Sequence, residues 1–530
     1  MKSIMNKVQL SIRTLTALFL GLLALCLCYS GAVSRGSSPS SNPPSVTVVD
    51  THFYPTFGNP AKALVTDDDT HVFVSVNQPP VQSAGSPAPA ATPSENFTGV
   101  QVFEKPCFTN PCNSRQIINF PTLVPGQAVK SVYGMQLFPG LPQVSVGAAV
   151  EAQGAEFFRL ASLNQPCGID GIINVRQYPV APNCSGQCPP GTFDLAVTPD
   201  GQYAFVANEY GTLPSPTPSD LIGSGTVGII KVLRYPDGEF KKGTGSIESN
   251  STIYIPGGNT IPGITMSHDG RHLYVTCEGS ADGASEMGNW YRDPTDFRSN
   301  PRNGVVLCPG CSRADRTHPY GYKRCDNKSN GGGENNGLLV VIDVDRAIRG
   351  EGQNAIKTII ASGCSPVRAV ETTDGRYVFV AARGRNKLLP TPLGTSGYQI
   401  LAFDAQALVS NSPNNAFLGY GDSGGTAPVG LALFGTNDSL LAVANSNRYY
   451  YESVCSAHPE DCTASVAILD VSNPTAPTVQ QIIPNPDNPN SSAFPRDVTI
   501  GPDGSTIYVP NFNANLLEVI TTNASDPQSN

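Results

Sequence analysis

A short pattern of hydrophobic and polar residues recurs along the chain and predicts a repeated β-hairpin. Its clearest copy, at residues 197–208, reads VTPDGQYAFVAN, with an Asp-Gly turn between two apolar runs. Glycine supplies the positive φ angle that a tight turn needs, so this arrangement is a strong hairpin signal. Related copies lie at residues 266–277, 372–382 and 501–511, and weaker ones at 65–75 and 435–445.

The segments between the hairpins predict further strands, so that each repeat has about four. The turns that mark the repeats are Asp68, Gln153, Asp200, Asp269, Asp374, Asn437 and Asp503. The Gln153 repeat is degenerate, with its hairpin predicted from residues 144–150 and 155–163. The last repeat lacks a fourth strand, which the isolated apolar segment 45–50 can supply. The sequence therefore predicts an all-β fold, a seven-bladed β-propeller of four-stranded antiparallel blades, with the ring closed by the N-terminal strand.

The hairpin copies resemble the YVTN-type β-propeller repeat, through TPDG…YAFVAN, SHDG…LYVTC and GPDG…IYVPN. A proline ahead of the hairpin (Pro60, Pro366) and an apolar strand ending on aspartate (residues 340–343, 466–470) extend the resemblance, which covers about residues 45–521. Relatives of this kind include surface-layer-like proteins, binding modules and a lactonase-like seven-bladed group. The resemblance thus implies the fold and leaves the function open.

The N-terminus has the composition of a secretory signal peptide. Basic residues precede an apolar run at residues 15–27, which is short for a membrane span. We predict a signal peptide at 1–32, a Ser/Pro-rich spacer at 33–44, and a propeller at 45–530 with a Cys-rich insertion at about 278–336. This organisation predicts a secreted, periplasmic or cell-surface protein with no membrane span after signal cleavage. A lipid anchor through Cys26 or Cys28 is a lower-ranked alternative.

Charge and cysteine content refine this expectation. The net charge of −9 argues against a nucleic-acid partner, because phosphate binding needs a basic face. Close cysteine pairs in an exported chain predict disulfides, with candidates Cys107, Cys112, Cys184, Cys188, Cys308, Cys311, Cys455 and Cys462. Cys277, with Cys308, Cys311 and Cys325, predicts that the insertion is stapled. Zinc binding by Cys308, Cys311, His318 and Cys325 is a less favoured alternative, and we predict no metal and no cofactor.

Charged residues recur at two places in the repeats and predict a ligand site at the mouth of the central channel. Six residues before the turn lie Lys62, Asp194, Gly263, Arg368 and Asp497, with Arg496 adjacent, and just after the second strand lie Glu209 and Arg383. Loops on a rigid scaffold commonly present binding groups. Such a ring can bind a polar or anionic small molecule, or it can simply line a solvated channel.

The string GDSGG at residues 421–425 matches a serine-hydrolase motif. A nucleophilic serine needs a base and an oriented third group, and the motif here falls between two repeats. We therefore interpret it as a glycine-rich connection.

These observations predict an exported ligand-binding or protein-interaction module at the cell envelope or outside the cell. Its partner would be a small polar molecule or another envelope or extracellular protein. The alternative is a lactonase-like hydrolase that opens a small polar lactone in the channel, using an acid such as Asp194 or Asp497. A purely structural envelope protein is a third alternative. Whether the protein is an enzyme stays open, and no catalytic residue is assigned.

Overall fold

Each copy of the repeated hairpin forms part of a four-stranded antiparallel sheet in the computed structural model. The structure describes residues 46–77, 98–105, 116–119, 131–139, 145–150, 154–160, 172–178, 192–208, 225–233, 252–255, 260–278, 327–328, 332–333, 336–384, 398–410, 413–447, 464–485 and 493–524. The predicted signal peptide and spacer lie outside these residues. In the described part of the chain, no helix has the length and apolar character needed to cross a membrane.

The strands are short and follow one another closely. The first ten are β1 (Val48–Pro55), β2 (Asn59–Val65), β3 (His71–Asn77), β4 (Gly99–Glu104), β5 (Gln116–Asn119), β6 (Val132–Leu137), β7 (Ser145–Val150), β8 (Gly154–Leu160), β9 (Ile172–Tyr178) and β10 (Thr192–Val197). The next ten are β11 (Tyr203–Asn208), β12 (Thr226–Lys231), β13 (Thr252–Tyr254), β14 (Gly263–Met266), β15 (His272–Cys277), β16 (Asn327–Lys328), β17 (Gly332–Gly333), β18 (Asn336–Asp343), β19 (Ile356–Cys364) and β20 (Pro366–Glu371). The last ten are β21 (Tyr377–Ala382), β22 (Gln399–Asp404), β23 (Phe417–Asp422), β24 (Pro428–Phe434), β25 (Leu440–Asn445), β26 (Ser465–Asp470), β27 (Thr478–Pro484), β28 (Thr499–Ile500), β29 (Thr506–Asn511) and β30 (Leu516–Thr522).

Two one-turn α-helices connect third and fourth strands. They are α1 (Val344–Ile348) and α2 (Ala405–Val409). Each begins at an aspartate, Asp343 or Asp404, whose side chain accepts a hydrogen bond from a backbone N–H of the first turn. This capping satisfies a donor that the short helix leaves without a partner. Short 3₁₀ turns occur at Gly352–Ala355, Pro413–Asn415 and Thr436–Asp438.

Six of the seven four-stranded sheets use strands in chain order, and we number them 1 to 6. They are β2–β5, β6–β9, β10–β13, β14-β15-β18-β19, β20–β23 and β24–β27. The remaining sheet has the order β1-β30-β29-β28. We call it the mixed sheet because it combines the first strand with the last three; all its strand pairs are antiparallel. The predicted all-β propeller arrangement of four-stranded antiparallel blades is confirmed. The N-terminal strand predicted at residues 45–50 corresponds to β1, which begins at Val48 and continues to Pro55, and which pairs antiparallel with β30.

The second repeat differs from its prediction in the position of its first strand. Sheet 2 begins at β6, so that β7 and β8 are its second and third strands. Their predicted hairpin is correct, but it lies one strand further from the start of the repeat. The prediction relied on an Asp-Gly turn, and the residues between β6 and β7 (FPGLPQV, 138–144) contain a Pro-Gly sequence instead.

The aspartate of the repeated turn is a structural group. Asp200 Oδ1 accepts hydrogen bonds from Thr198 Oγ1 at 2.6 Å and from the Gln202 N–H at 2.9 Å. Thr198 Oγ1 in turn accepts the Tyr203 N–H at 3.0 Å. The hydroxyl-to-aspartate bond recurs in the pairs Thr66/Asp68, Ser267/Asp269 and Thr372/Asp374. Gly201 has a φ of 64°, so the Asp-Gly pair is explained by the turn alone.

Replacing Asp374 by alanine is expected to lower the free energy of unfolding by about 0.5–1 kcal/mol at pH 7. Burial alone would raise the pKa of Asp374, but hydrogen bonds from Thr372 and Arg376 bring this pKa below its usual value. A carboxylate of this kind stabilises the fold above the unfolded pKa of about 3.9. That contribution disappears as the pH falls through the folded pKa.

Urea unfolding of the wild type and the Asp374→Ala variant at pH 7 and pH 2 measures this effect. The difference should shrink at pH 2, and an equal difference at both pH values would contradict the assignment. Asp67→Ala, at an exposed neighbouring position of the first turn, is the matched control and should leave stability unchanged.

The hydrophobic core lies between neighbouring sheets. Phe379 and Ile400 of sheet 5, for example, pack in one cluster with Leu441 and Leu469 of sheet 6. The second strands of most sheets are buried on both faces, which explains their almost continuous apolar sequences.

The predicted staple through Cys277 is wrong. Cys277 is a free cysteine that is buried in the core beside Leu338 and Leu339, and burial raises the pKa of its thiol. Cys364, at the end of β19, is disulfide-bonded. The eight cysteines predicted to form disulfides lie outside the described residues.

Candidate functional site

A β-bulge in the innermost strand brings consecutive residues to the same cavity. In β2 the register with β3 shifts between Pro60 and Lys62, and comparable shifts occur in β6, β10, β20 and β24. In a regular strand adjacent side chains point to opposite faces, whereas a bulge redirects one of them. The bulges therefore allow two successive residues of one strand to contribute to the axis of the propeller.

One residue of each sheet, in its innermost strand or just before it, lines a single cavity, which we call the upper chamber. Its volume is about 200 Å³. The seven wall residues, one from each sheet, are Ala61, Tyr133, Phe193, Pro262, Val367, Val429 and Arg496. Most are apolar, so the upper chamber has an apolar wall interrupted by one guanidinium group.

The next residue of each strand belongs to a second layer, which we call the charged ring. Its members, in sheet order from sheet 1 to the mixed sheet, are Lys62, Gly134, Asp194, Gly263, Arg368, Gly430 and Asp497. Charged residues and glycines alternate in this order, and the four charges alternate in sign. Lys62, Gly134 and Arg368 also line the upper chamber.

Ion pairs join the four charges across the axis. Lys62 Nζ lies 3.7 Å from Asp194 Oδ1 and 3.7 Å from Asp497 Oδ2. Arg368 Nη1 donates a hydrogen bond to Asp194 Oδ2, and Arg368 Nη2 lies 3.9 Å from Asp497 Oδ2. The carboxylates are almost fully buried, with side-chain exposures of 1% for Asp194 and 4% for Asp497. Burial alone would lower the pKa of Arg368, but the charges of Asp194 and Asp497 raise it, so the guanidinium stays charged.

Glycine is required in the ring because neighbouring inner strands approach closely there. A Cβ atom on Gly134 would lie 2.6 Å from the Cα atom of Asp194. A Cβ atom on Gly430 would lie 2.7 Å from the Cα atom of Asp497. Both contacts involve backbone, which cannot move aside as a flexible side chain would. The glycines thus hold the two buried carboxylates within reach of their cations.

Strained backbone precedes four of the inner strands. Thr260, Ser365, Ala427 and Phe494, each three residues before a ring residue, have φ values of 52°, 47°, 53° and 55°. Non-glycine residues rarely adopt this conformation, and it costs of the order of 1–3 kcal/mol. Thr260 and Phe494 line the upper chamber, so part of this strain lies at its mouth.

Two arginines lie above the charged ring. Arg383 Nη2 donates to Glu278 Oε2 at 2.7 Å, and both residues line the upper chamber. The guanidinium carbon of Arg496 lies 4.7 Å from the ring centre of Tyr133 and 5.2 Å from that of Phe512. These are cation–π distances, which fix the Arg496 side chain against the wall.

A lower chamber of about 280 Å³ lies along the same strands beyond the charged ring. Its lining includes Lys62, Arg368 and Asp497, together with Gln136 and His268. Because Lys62 and Arg368 line both cavities, the charged ring separates the two chambers.

The structure brings together most of the residues predicted from the repeats. Lys62, Asp194, Arg368 and Asp497 are the charged members of the charged ring, and Arg383 and Arg496 line the chamber above it. Glu209 lies outside the described residues. Sequence reasoning missed Gly134 and Gly430, as well as the wall residues Tyr133 and Phe193. Their common signal is the fixed place directly at the bulge of each first strand.

The GDSGG string forms the connection between sheets 5 and 6. Ser423 is fully buried, and its hydroxyl donates to the Gly425 carbonyl at 2.9 Å. Asp422 accepts the Gly424 N–H at 2.8 Å. These local bonds agree with the interpretation as a glycine-rich connection. Among the described residues, no group of three or more His, Cys, Asp or Glu side chains is arranged to hold a metal ion.

Comparison with known proteins gives no match to a family model and none to a curated protein. Among solved structures, hydrazine synthase from Kuenenia stuttgartiensis is 12% identical, with a TM-score of 0.44 over 93% of this chain and 100% of that chain. The mitotic checkpoint complex gives 9% identity and a TM-score of 0.43 over 92% of this chain and 96% of that chain. A functionally unknown protein from Desulfotomaculum acetoxidans gives 10% identity and a TM-score of 0.39 over 80% of this chain and 85% of that chain. Similarity at this level carries no argument about function.

Proposed function

We propose that the protein is a binding module that holds a small anionic molecule in the upper chamber. The observation that carries this proposal is the composition of that chamber. Its lining includes four cations, Lys62, Arg368, Arg383 and Arg496, and one carboxylate, Glu278, which pairs with Arg383. The other wall residues are mainly apolar. An apolar cavity with a few convergent polar groups is the usual form of a small-molecule site. At about 200 Å³ the chamber is smaller than sites for drug-sized ligands, so the ligand is small.

We infer that the mixed sheet is a seventh blade and that the seven sheets form one closed ring. Strand β2 contacts β28 and β29 of the mixed sheet, and β24 of sheet 6 contacts β28. Each sheet also contributes a wall residue to the upper chamber. Pairing of β1 with β30 within the mixed sheet joins the two ends of the described chain, as expected if the N-terminal strand completes the last blade.

The hairpin sequences support assignment to the YVTN-type repeat, and the N-terminal composition supports export to the cell envelope or beyond. Recovery outside the cytoplasm of a mature chain that begins near residue 33 tests the export proposal. A second protein of the same compartment is the alternative partner.

A lactonase-like hydrolase is the alternative function. It would need Asp194 or Asp497 to accept a proton, and both carboxylates are ion-paired with Arg368 and Lys62. A base held in this way must first release its cation partners, so the geometry supports binding better than proton transfer. The test is whether the purified protein acidifies solutions of small lactones. Acidification that Asp497→Asn abolishes would favour the hydrolase instead.

Titration calorimetry with benzoate, succinate, phosphate and sulfate, each beside an uncharged analogue, tests anion binding. We expect saturable binding of at least one anion with a Kd below about 1 mM. Arg383→Gln should weaken this binding about tenfold, because it removes a charged hydrogen-bond donor from the chamber.

Arg376→Gln is the matched control, since Arg376 is an exposed arginine paired with Asp374 outside the chamber. It removes the same charge and should leave the affinity unchanged. Absence of saturable binding for every anion, or equal weakening by both substitutions, would overturn the proposal.

A further inference from the structure

The wall of the upper chamber has an aromatic side and an aliphatic side. Tyr133 and Phe193 come from the neighbouring sheets 2 and 3. Going on around the axis, sheets 4, 5 and 6 contribute Pro262, Val367 and Val429. The aromatic wall residues therefore come from two neighbouring sheets, and the aliphatic ones from the next three.

The aromatic side is an ordered stack that spans three sheets. The rings of Tyr133 and Phe193 are nearly parallel, at 7°, with their centres 4.5 Å apart. The Arg496 guanidinium lies over the Tyr133 ring, 4.7 Å from its centre. The small side chain of Ala61, from the sheet between Arg496 and Tyr133, leaves room for this contact. Tyr133 thus contacts both the Arg496 guanidinium and the Phe193 ring.

The stack ends at Phe193. Phe193 is only half-buried and lines the chamber, and among the contacts of the described residues its second face has no aromatic ring and no cation against it. Aromatic rings gain from offset stacking at centre distances of about 4.5–7 Å. A flat ring in the chamber would continue the stack on this face of Phe193.

The cations at the floor of the upper chamber indicate which substituent such a ring would carry. Lys62 and Arg368 line the chamber directly below the wall. A carboxylate that reaches the floor meets a planar guanidinium and an ammonium group, the partners that carboxylates bind most strongly. Asp194, whose Oδ1 atom has no hydrogen-bond partner, lies beneath these cations and does not line the chamber.

We infer that the upper chamber selects an aromatic carboxylate, with its ring stacked on Phe193 and its acid group on Lys62 and Arg368. This inference rests on the proposed anion-binding function and names the class of ligand. It assigns Phe193 the role of distinguishing a flat ring from an aliphatic ring of similar size. Stacking contributes a preference of about two- to tenfold beyond the apolar area that both rings bury.

The test compares benzoate with cyclohexanecarboxylate, which have the same charge and nearly the same size but differ in planarity. We expect titration calorimetry of the full-length protein to give a Kd for benzoate that is two- to tenfold lower. In Phe193→Leu the two values should become equal within twofold. Phe417→Leu, which removes a ring from an outer strand of sheet 5, is the matched control and should keep the preference.

The outcomes separate this inference from the proposed function. Equal or reversed affinities of the two acids for the wild type would overturn the aromatic assignment and leave anion binding intact. Binding of succinate or phosphate without binding of either ring acid would do the same. Failure of every anion would overturn both. Because the wild-type comparison decides the matter by itself, the inference stays testable even if Phe193→Leu does not fold.

Discussion

Replacing Arg368 by methionine is expected to lower the free energy of unfolding by about 3–5 kcal/mol. Arg368 donates to Asp194 and lies near Asp497, and both carboxylates are almost fully buried. Methionine keeps much of the aliphatic length of the side chain and removes the guanidinium. The two buried carboxylates would then share only Lys62, at 3.7 Å from each. Removing one partner of a buried ion pair is costly because the remaining charge stays away from water.

A double substitution shows whether the charge itself is responsible. Asp194→Asn in the Arg368→Met background removes one of the two stranded charges and should recover part of the loss, about 1–3 kcal/mol. Lys62→Met is the comparison within the ring, and we expect a smaller loss because its ion-pair distances are longer. Urea unfolding followed by far-UV circular dichroism measures all four proteins. If Arg368→Met cost less than 1 kcal/mol, or the double variant were no more stable, the ring would not be a coupled network.

The charged ring links the stability of the fold to the proposed ligand binding. Lys62 and Arg368 form ion pairs with the buried carboxylates and also line the upper chamber. Asp194 and Asp497 hold these cations in place before a ligand arrives, so that less side-chain entropy is lost on binding. A ligand acid then adds a further partner to cations that are already positioned.

Much of the fold could be predicted because the turn chemistry is local. The threonine or serine, the aspartate and the glycine of each turn lie within four residues, as in Thr198, Asp200 and Gly201. Five of the seven ring positions could also be predicted, because the ring residue and the second strand keep a fixed spacing. Tyr377, the first residue of the second strand of sheet 5, lies nine residues after Arg368. Tyr203, the first residue of the second strand of sheet 3, lies nine residues after Asp194.

The same spacing explains the two ring residues that were missed. In sheet 6 the corresponding spacing, between Gly430 and Leu440, is ten residues instead of nine. The additional residue belongs to a 3₁₀ turn at Thr436–Asp438, which replaces the usual Asp-Gly turn. Gly134 belongs to the repeat that has no Asp-Gly turn after its first strand. The stack of Arg496, Tyr133 and Phe193 could not be predicted, because it joins three sheets whose side-chain distances no local pattern encodes.

The second large effect is expected at Glu518, a buried acid in β30. Its side chain is fully buried. Asn511 Nδ2 donates to Glu518 Oε2 at 2.8 Å, whereas Oε1 has no hydrogen-bond partner. Val509 lies opposite it in the ladder, as Val443 lies opposite Ala467 in sheet 6. The acid thus occupies a place that sheet 6 gives to a small apolar residue, and the sequence LLEVIT does not indicate that it is buried.

Burial raises the pKa of Glu518 to about 7, although the hydrogen bond from Asn511 acts in the opposite direction. The folded protein therefore keeps this proton at pH values where the unfolded chain, with a glutamate pKa near 4.5, has released it. Stability falls as the pH rises from about 4.5 to about 7, because the native state binds more protons than the unfolded state. The total loss over this window is about 3 kcal/mol. The window lies above the one in which Asp374 loses its contribution.

Glu518→Gln is expected to remove this slope. Glutamine keeps the shape and the acceptor for Asn511 without a charge, so the variant should be about 2–3 kcal/mol more stable than the wild type at pH 8. At pH 4.5 the two proteins should be nearly equal, because Glu518 is then protonated in the folded state. Glu351→Gln, at a partly exposed acid after α1, is the control, since hydrogen bonds from Arg346 and Arg349 lower the pKa of Glu351 and move its titration below this window. Urea midpoints between pH 4.5 and pH 8 measure the profiles, and parallel profiles for the wild type and Glu518→Gln would show that no buried carboxylate forms at this position.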